Sequence, residues 1–447
     1  MTTMQACIFT PSKHTSEIEN NAAAVAGAAV QVVSRRTVKP PPRDRERIPL
    51  TTPPWPTRSP PTNPVAGRLA TNQHRDDRGR VVCCSVSVDC AGQGVELLEA
   101  VAGGVAVSDV ILPDSYVPRL VRSFFPLDKA VNYDGHERPL FAVQITELAD
   151  GVFVGFVYNH ALSDGTAFWD YIGTWAEISR ATLGAPRALP PRAAPLFESW
   201  SPDGGADLGG LIARPTQPPP PQREWMLRFS EESLAVLKDR ARQELLVAGD
   251  AAGAAAVTML QALGSLLWRC FVRARRTAPD QEVMFRASAN NRARLRPPLP
   301  AGYFGNAIGA EAVRASELLA RGHGWAAAAV GRAVAAHTDA GVRARAAAWA
   351  VEPGLSAFRL FDPNGMFISS SPRFDMYGCD FGWGKPLAAR SGKANKYDGK
   401  VSLFPGREGG GSIDAEVVLA PEHMAALELD DEFWAAVSPD VPPARKG

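Results

Sequence analysis

The chain has 447 residues with 48 basic and 47 acidic side chains, a net charge of +1, so no field draws it to nucleic acid or an anionic membrane. Hydrophobic residues make up 45% and charged ones 21%, which allows large buried cores and excludes wholesale disorder. No run approaches the roughly 18–20 apolar residues that cross a bilayer, and the opening MTTMQACIFTPSKHTSEIEN shows neither a secretory nor a transit pattern. At roughly 100–200 residues per domain the length fits two domains. The expectation is a cytoplasmic, monomeric protein without nucleic-acid or membrane partners.

Along the chain, residues 39–64 (KPPPRDRERIPLTTPPWPTRSPPTNP) hold ten prolines in 26 positions. Proline lacks a donor and biases its predecessor away from helix, so residues 1–64 are expected to be irregular. Strand-like runs follow at VVCCSVSV (81–88), LFAVQITEL (140–148) and VFVGFVY (152–158), then a helical spacing from Thr166 to Leu183. The pair Cys83–Cys84 alternates faces of its strand, and none of the six cysteines has a metal-ligand spacing, so free thiols and no metal are expected. Residues 184–222, with ten further prolines, suit a crossover linker. Beyond it, ESLAVLKDRARQ and VTMLQALGSLLWRCFVRAR predict helices, the latter with Met259, Leu260, Leu263, Leu266, Leu267, Cys270 and Phe271 on one face. EVMFRASA, GMFISSS, GKVSLF and SIDAEVVL predict strands, and an Ala-rich helix is expected over 325–350.

Three segments carry chemistry. In Asn159-His160-Ala161-Leu162-Ser163-Asp164-Gly165, a histidine leaves an apolar strand just before a helix, where a base can meet substrate. Asp164 can orient the imidazole or hold the loop by an ion pair, and a purely structural histidine is the bland alternative. In Asp380-Phe381-Gly382-Trp383-Gly384-Lys385-Pro386, glycines flank an indole whose N–H could aim at a partner, or which simply fills a tight turn. The stretch from Asn290 through Arg292, Arg294 and Pro297-Pro298-Leu299-Pro300 to Gly305-Asn306 joins basic groups to a rigid turn.

In this order the segments resemble the plant BAHD acyltransferases, which move acyl groups from coenzyme A thioesters to alcohols or amines. The likeness rests on His160 and Asp164 of HxxxDG, DFGWG at 380–384, the Asn290–Asn306 stretch, VAGRLA (65–70) and SSPRFDMYGCDFGWGKP (370–386), and covers about 65–440. It is nearest to the sub-group with HALSDGT and YDGKVSLFPG segments. The resemblance implies an α/β fold of two similar chloramphenicol acetyltransferase-like domains, each a mixed sheet with flanking helices, with a tunnel between them. The boundaries would be 65–183 for the N-terminal domain with HxxxD, 184–222 for the linker and 223–440 for the C-terminal domain with DFGWG.

The same resemblance implies roles. His160 would be the general base and Asp164 would pair with an arginine, for which Arg292 is the expected partner. Trp383 would donate to the developing oxyanion, and Asp380 would support the loop between domains. Ser288, Asn290, Arg292, Arg294 and Ser371 would contact acyl-coenzyme A, a co-substrate rather than a resident cofactor. Arg373 could grip an acceptor carboxylate or form a loop-stabilising ion pair, and Lys238, Arg240 or Arg273 could meet coenzyme A phosphates, although a helix C-terminus alone explains Arg273. The family normally carries a strand and two helices between the positions of IPLTT (48–52) and VAGRLA, and residues 1–30 have no counterpart, so an uncovered N-terminal sheet is expected. The alternatives are a catalytically silent binding protein, or a lyase or condensation-type enzyme on the same fold.

Overall fold

A computed structural model describes residues 2–10, 30–40, 47–49, 64–112, 117–127, 129–183, 195–197, 207–208, 220–353, 362–393 and 396–438. Its strands are β1 (Thr2–Phe9), β2 (Gln31–Val38), β3 (Arg47–Pro49), β4 (Arg68–Arg75), β5 (Val81–Asp89), β6 (Val95–Ala102), β7 (Phe141–Leu148), β8 (Val152–Asn159), β9 (Arg223–Phe229), β10 (Val283–Asn290), β11 (Ile308–Ala315), β12 (Gly365–Ile368), β13 (Ala388–Ser391), β14 (Lys400–Pro405) and β15 (Ile413–Leu419). The helices are α1 (Gly165–Thr182), α2 (Glu231–Val247), α3 (Ala251–Ala256), α4 (Met259–Ala274), α5 (Leu318–Arg321), α6 (His323–Ala335), α7 (Asp339–Val351), α8 (Pro421–Leu427) and α9 (Asp431–Ala436).

These form two six-stranded mixed sheets, in the orders β13-β1-β8-β7-β6-β2 and β11-β10-β12-β14-β15-β9, and a small sheet β3-β5-β4. In the first, β6 and β7 are parallel; in the second, β10-β12 and β12-β14 are parallel. The fold is therefore a mixed α/β pair, as the sequence leads one to expect. Continuous apolar runs explain the central strands: β8 is buried from Phe153 through Asn159, as a strand covered on both faces must be. A Cβ on Gly155 would run into the carbonyl of Phe124, so glycine is needed where that segment crosses β8. Helix α4 begins with a capping box between Thr258 and Gln261 and is buried almost all round. Leu260 of the expected apolar face is 40% exposed, and Trp268 is buried instead.

Three expectations need correction. Residues 1–64 are not wholly irregular, because β1, β2 and β3 lie within them; β1 pairs with β8 on one side and β13 on the other, and Ala6 to Phe9 are completely buried. The DFGWG segment does not belong to the C-terminal core: Met376, Cys379, Phe381 and Ala389 are buried with Phe9, Phe156 and Tyr158, and β13 completes the N-terminal sheet. The Ala-rich helix is two, because the Thr338 hydroxyl accepts from the Gly341 amide and starts α7 afresh. The linker 184–222 lies outside the described residues apart from 195–197, 207–208 and 220–222.

The second sheet has two unlike faces. Trp225, Leu227, Phe229, Val401, Leu403, Ala415 and Val417 face α2, α4 and α6. Alternation turns Glu224, Met226, Lys400, Ser402, Phe404 and Glu416 the other way, where Phe404 and Met226 enter the N-terminal cores. A buried ionic network binds the domains here. Arg122 reaches Glu224 at 2.9 Å, Lys396 bridges Glu224 at 2.7 Å and Glu416 at 2.8 Å, and the Ser391 hydroxyl donates to Glu416.

Candidate active site

Strand β8 ends at Asn159 and hands the chain to His160, with α1 beginning five residues later. Asn159 is buried, donates to the Asn132 carbonyl at 2.9 Å and accepts from the Ala161 amide at 3.1 Å, so it ties the loop at its root. Tyr158 and Ser163 hydroxyls share a 2.5 Å hydrogen bond beneath it. His160 itself is half-buried. Burial pushes its imidazole below the ordinary value, and the charge of Lys400 adds to this, while a hydrogen bond to its own backbone carbonyl and the nearby Asp164 oppose it. A lowered value favours the neutral imidazole at pH 7, the form in which a histidine can accept a proton.

Asp164 caps α1, accepting from the amides of Thr166 at 3.1 Å and Ala167 at 3.2 Å. Its other oxygen accepts from the Ala307 amide at 2.8 Å and from Arg292 at 2.6 Å, with the Asp164 side chain fully buried. Arg292 also donates to the Gly305 carbonyl at 3.1 Å and lies over the Tyr303 ring. Asn306 donates to the His160 carbonyl at 2.8 Å, and Asn290 donates to the Thr166 hydroxyl at 3.2 Å. A turn of the C-terminal domain thus grips both ends of the histidine loop. Asp164 acts on the loop and on the helix, and makes no hydrogen bond to the imidazole.

The other expected residues separate. Ser288 is half-buried on the face of β10 that looks towards the N-terminal domain, and Asn290 ends that strand. Arg292 is engaged by Asp164, while Arg294 donates to the His337 carbonyl at 2.8 Å. Ser371 accepts from the amide of Arg373, whose side chain is exposed. Arg240 and Arg273 are held by Glu432, with Arg273 also on Asp430; they fasten α2 and α4 to α9. Lys238 is half-buried on α2.

Asp380 and Trp383 are not beside His160. Asp380 faces Arg180 at 3.6 Å, in the last turn of α1, whereas Asp164 caps its first turn. That places roughly 24 Å of helix between them. The sheet agrees: the Trp383 ring packs 5.7 Å from Phe9, and Phe9 pairs with Val152 at the end of β8 remote from Asn159, roughly 23 Å away. Trp383 is therefore no oxyanion donor to a reaction at His160. Asp380 accepts from the amides of Gly382 at 2.8 Å and Gly384 at 2.9 Å, whose φ of 109° and 92° require glycine. The motif is a brace between β13 and the far end of α1.

Comparison with known proteins gives this architecture a lineage. The profile described as Transferase family matches residues 63–434. The chain belongs to the BAHD acyltransferase family. The BAHD acyltransferase DCR of Arabidopsis thaliana is 33% identical over 379 residues, covering 83% of this chain and 76% of its own. Hydroxycinnamoyltransferase 2 of Oryza sativa subsp. japonica is 30% identical, covering 81% and 82%. The crystal structure of vinorine synthase superposes with a TM-score of 0.64 at 18% identity, over 92% of this chain and 99% of its own. That of F. sporotrichioides TRI101 with coenzyme A and T-2 gives 0.62 at 17%, over 84% and 87%. The superpositions show the two-domain mixed α/β fold, and the family and curated relatives show an acyltransferase; β1, β2 and β3 lie outside residues 63–434.

Two functional positions were missed from sequence. Asn306 was visible only as the end of a turn motif, and its contact with the His160 loop depends on the domains meeting. Lys400 stood in the YDGKVSLFPG segment, and its charge lowers the His160 imidazole across the domain junction.

Proposed function

We propose that the protein transfers an acyl group from an acyl-coenzyme A thioester to the hydroxyl or amine of a small acceptor, with His160 as general base. The observation that carries this is a half-buried imidazole, lowered by burial, on a loop fixed from both domains by Asp164, Arg292 and Asn306. His160 takes the acceptor's proton as its oxygen or nitrogen attacks the thioester carbonyl. The tetrahedral oxyanion then collapses, the carbon–sulfur bond breaks, and the imidazolium returns the proton to the leaving thiolate. No covalent enzyme intermediate is required, because holding both substrates in line supplies much of the rate.

Relatives support the reading: one is named hydroxycinnamoyl-CoA:5-hydroxyanthranilate N-hydroxycinnamoyltransferase HHT4 of Avena sativa, at 30% identity, and TRI101 structures hold coenzyme A. A cytoplasmic monomer is the accompanying proposal. The test is thiol release from a panel of acyl-coenzyme A donors with alcohol and amine acceptors. His160→Ala should lose turnover at least a thousandfold while keeping its circular dichroism and its coenzyme A affinity. Normal turnover by that variant would sink the mechanism; tight coenzyme A binding by the wild type without turnover would favour a silent binding protein.

A further inference from the structure

The break between α6 and α7 leaves His337 outside both helices, with its side chain wholly buried. The imidazole lies against β11, where Gly309 and Glu311 share a face. A Cβ on Gly309 would come within 2.9 Å of the ring, so a larger residue there would displace it. Nδ1 meets the Glu311 carboxylate and accepts from Arg345 Nη2 at 2.7 Å, and Arg345 also pairs with Glu311 at 2.9 Å. Nε2 meets Asn291 Oδ1 at 2.6 Å. An amide oxygen only accepts, so Nε2 carries the proton and donates. Burial pushes the imidazole down, Glu311 opposes this, and Arg345 and Arg294 add to burial.

Asn291 is itself buried, between two residues that hold the histidine loop. Asn290 donates to the Thr166 hydroxyl, and Arg292 pairs with Asp164. The Asn291 amide donates to the Ala307 carbonyl at 2.7 Å, and the Ala307 amide donates to Asp164 at 2.8 Å. Backbone bonds thus fix Asn291 on the side of the site, and His337 holds its side chain from the other. Two more bonds tie the same turn to the start of α7: Arg294 donates to the His337 carbonyl at 2.8 Å, and the Arg296 amide to Asp339 at 2.9 Å. A hydrogen-bonded chain therefore runs from Glu311 and Arg345 through His337, Asn291 and Ala307 to Asp164. His323, equally buried in the same domain, instead bonds Ser265 and the Leu237 carbonyl within the helical layer.

We propose that His337 is a positioning residue for acyl transfer: by holding Asn291 it sets the turn of the C-terminal domain that grips the His160 loop. This rests on the acyl-transfer reading and adds to it a support that acts only through other residues.

Two readouts test it on the full chain carrying His337→Phe, His337→Gln or Asn291→Ala. The first is kcat for thiol release, per coenzyme A-binding site counted by calorimetry. His337→Phe and Asn291→Ala should each lower it at least tenfold, and the double variant no further. His337→Gln, whose amide can donate where Nε2 does, should recover most of it. The second is amide hydrogen exchange followed by mass spectrometry. Exchange over 160–168 should quicken at least fivefold in His337→Phe, while α4, in the core of the same domain, keeps its wild-type rate.

An unchanged kcat per site, multiplicative losses in the double variant, or no gain from His337→Gln over His337→Phe overturns the proposal. So does exchange that quickens equally over 160–168 and α4, which would make His337 a support of the domain as a whole. Should His337→Phe not fold, Asn291→Ala bears both expectations alone. Should the wild type release no thiol with any donor, the acyl-transfer reading fails separately, and exchange over 160–168 against α4 still decides whether His337 positions the loop.

Discussion

Asp164→Asn isolates the charge at the heart of the site. Asparagine caps a helix about as well as aspartate, so the Thr166 and Ala167 amides keep an acceptor. What changes is the other oxygen, which takes Arg292 at 2.6 Å and the Ala307 amide at 2.8 Å. With the amide group there, donors meet donors; with the groups reversed, the cap is lost. Either way Arg292, whose side chain is 13% exposed, loses its counter-charge. Breaking a buried pair by removing one partner costs about 3–5 kcal/mol, and we expect the lower end because Arg292 keeps the Gly305 carbonyl. Urea unfolding followed by fluorescence and circular dichroism would measure it. Arg292→Met should cost a similar amount, and the double variant should be at least about 1 kcal/mol more stable than the sum of the two predicts, as neighbours in one network are. Acyl transfer should fall with the single variants, because the loop that carries His160 loosens. A single Asp164→Asn variant within about 1 kcal/mol of wild type would refute the buried-pair reasoning.

The remaining predictions concern catalysis and the domain junction. Trp383→Phe should leave kcat within about threefold, where loss of a true oxyanion donor would cost about 10²–10³; turnover kinetics distinguish the two. Because burial lowers His160 from its usual 6.5 and the base acts unprotonated, the acid limb of kcat/KM should fall below pH 6.5. A limb above that value contradicts the assignment. Lys396→Met leaves Glu224 and Glu416 buried without their shared cation; it should cost about 3–5 kcal/mol at pH 7. Denaturant midpoints of wild type and variant check this.

Local signals carried much of the architecture. The apolar runs at 81–88, 140–148 and 152–158 became β5, β7 and β8, and the spacing after Thr166 became α1. The junction of His160 with a helix start was legible because strand, polar loop and cap are contiguous. The position of DFGWG was not. Its residues follow β12 of the second sheet, and only long-range pairing of β13 with β1 draws them into the first. A motif's conspicuousness says that its backbone is constrained, as the positive φ of Gly382 and Gly384 shows, and not that it meets substrate. The Ala-rich 325–350 stretch misled for another reason: alanine favours helix throughout, so nothing but the Thr338 cap marks the break.

Strand β1 has a further consequence for how the molecule comes together. Cys7 lies against the Met376 carbonyl, 369 residues away along the chain, and β1 cannot be flanked on both sides until β13 exists. During synthesis the N-terminal half would hold an open hydrogen-bonding edge along β8 or β1 through most of elongation, a surface prone to pairing with the wrong strand. The two domains are thus unequal in timing: the second sheet draws its strands from 223–419 alone, whereas the first waits for a short piece of chain buried deep within its neighbour's span. Late closure of the first sheet is built into this connectivity.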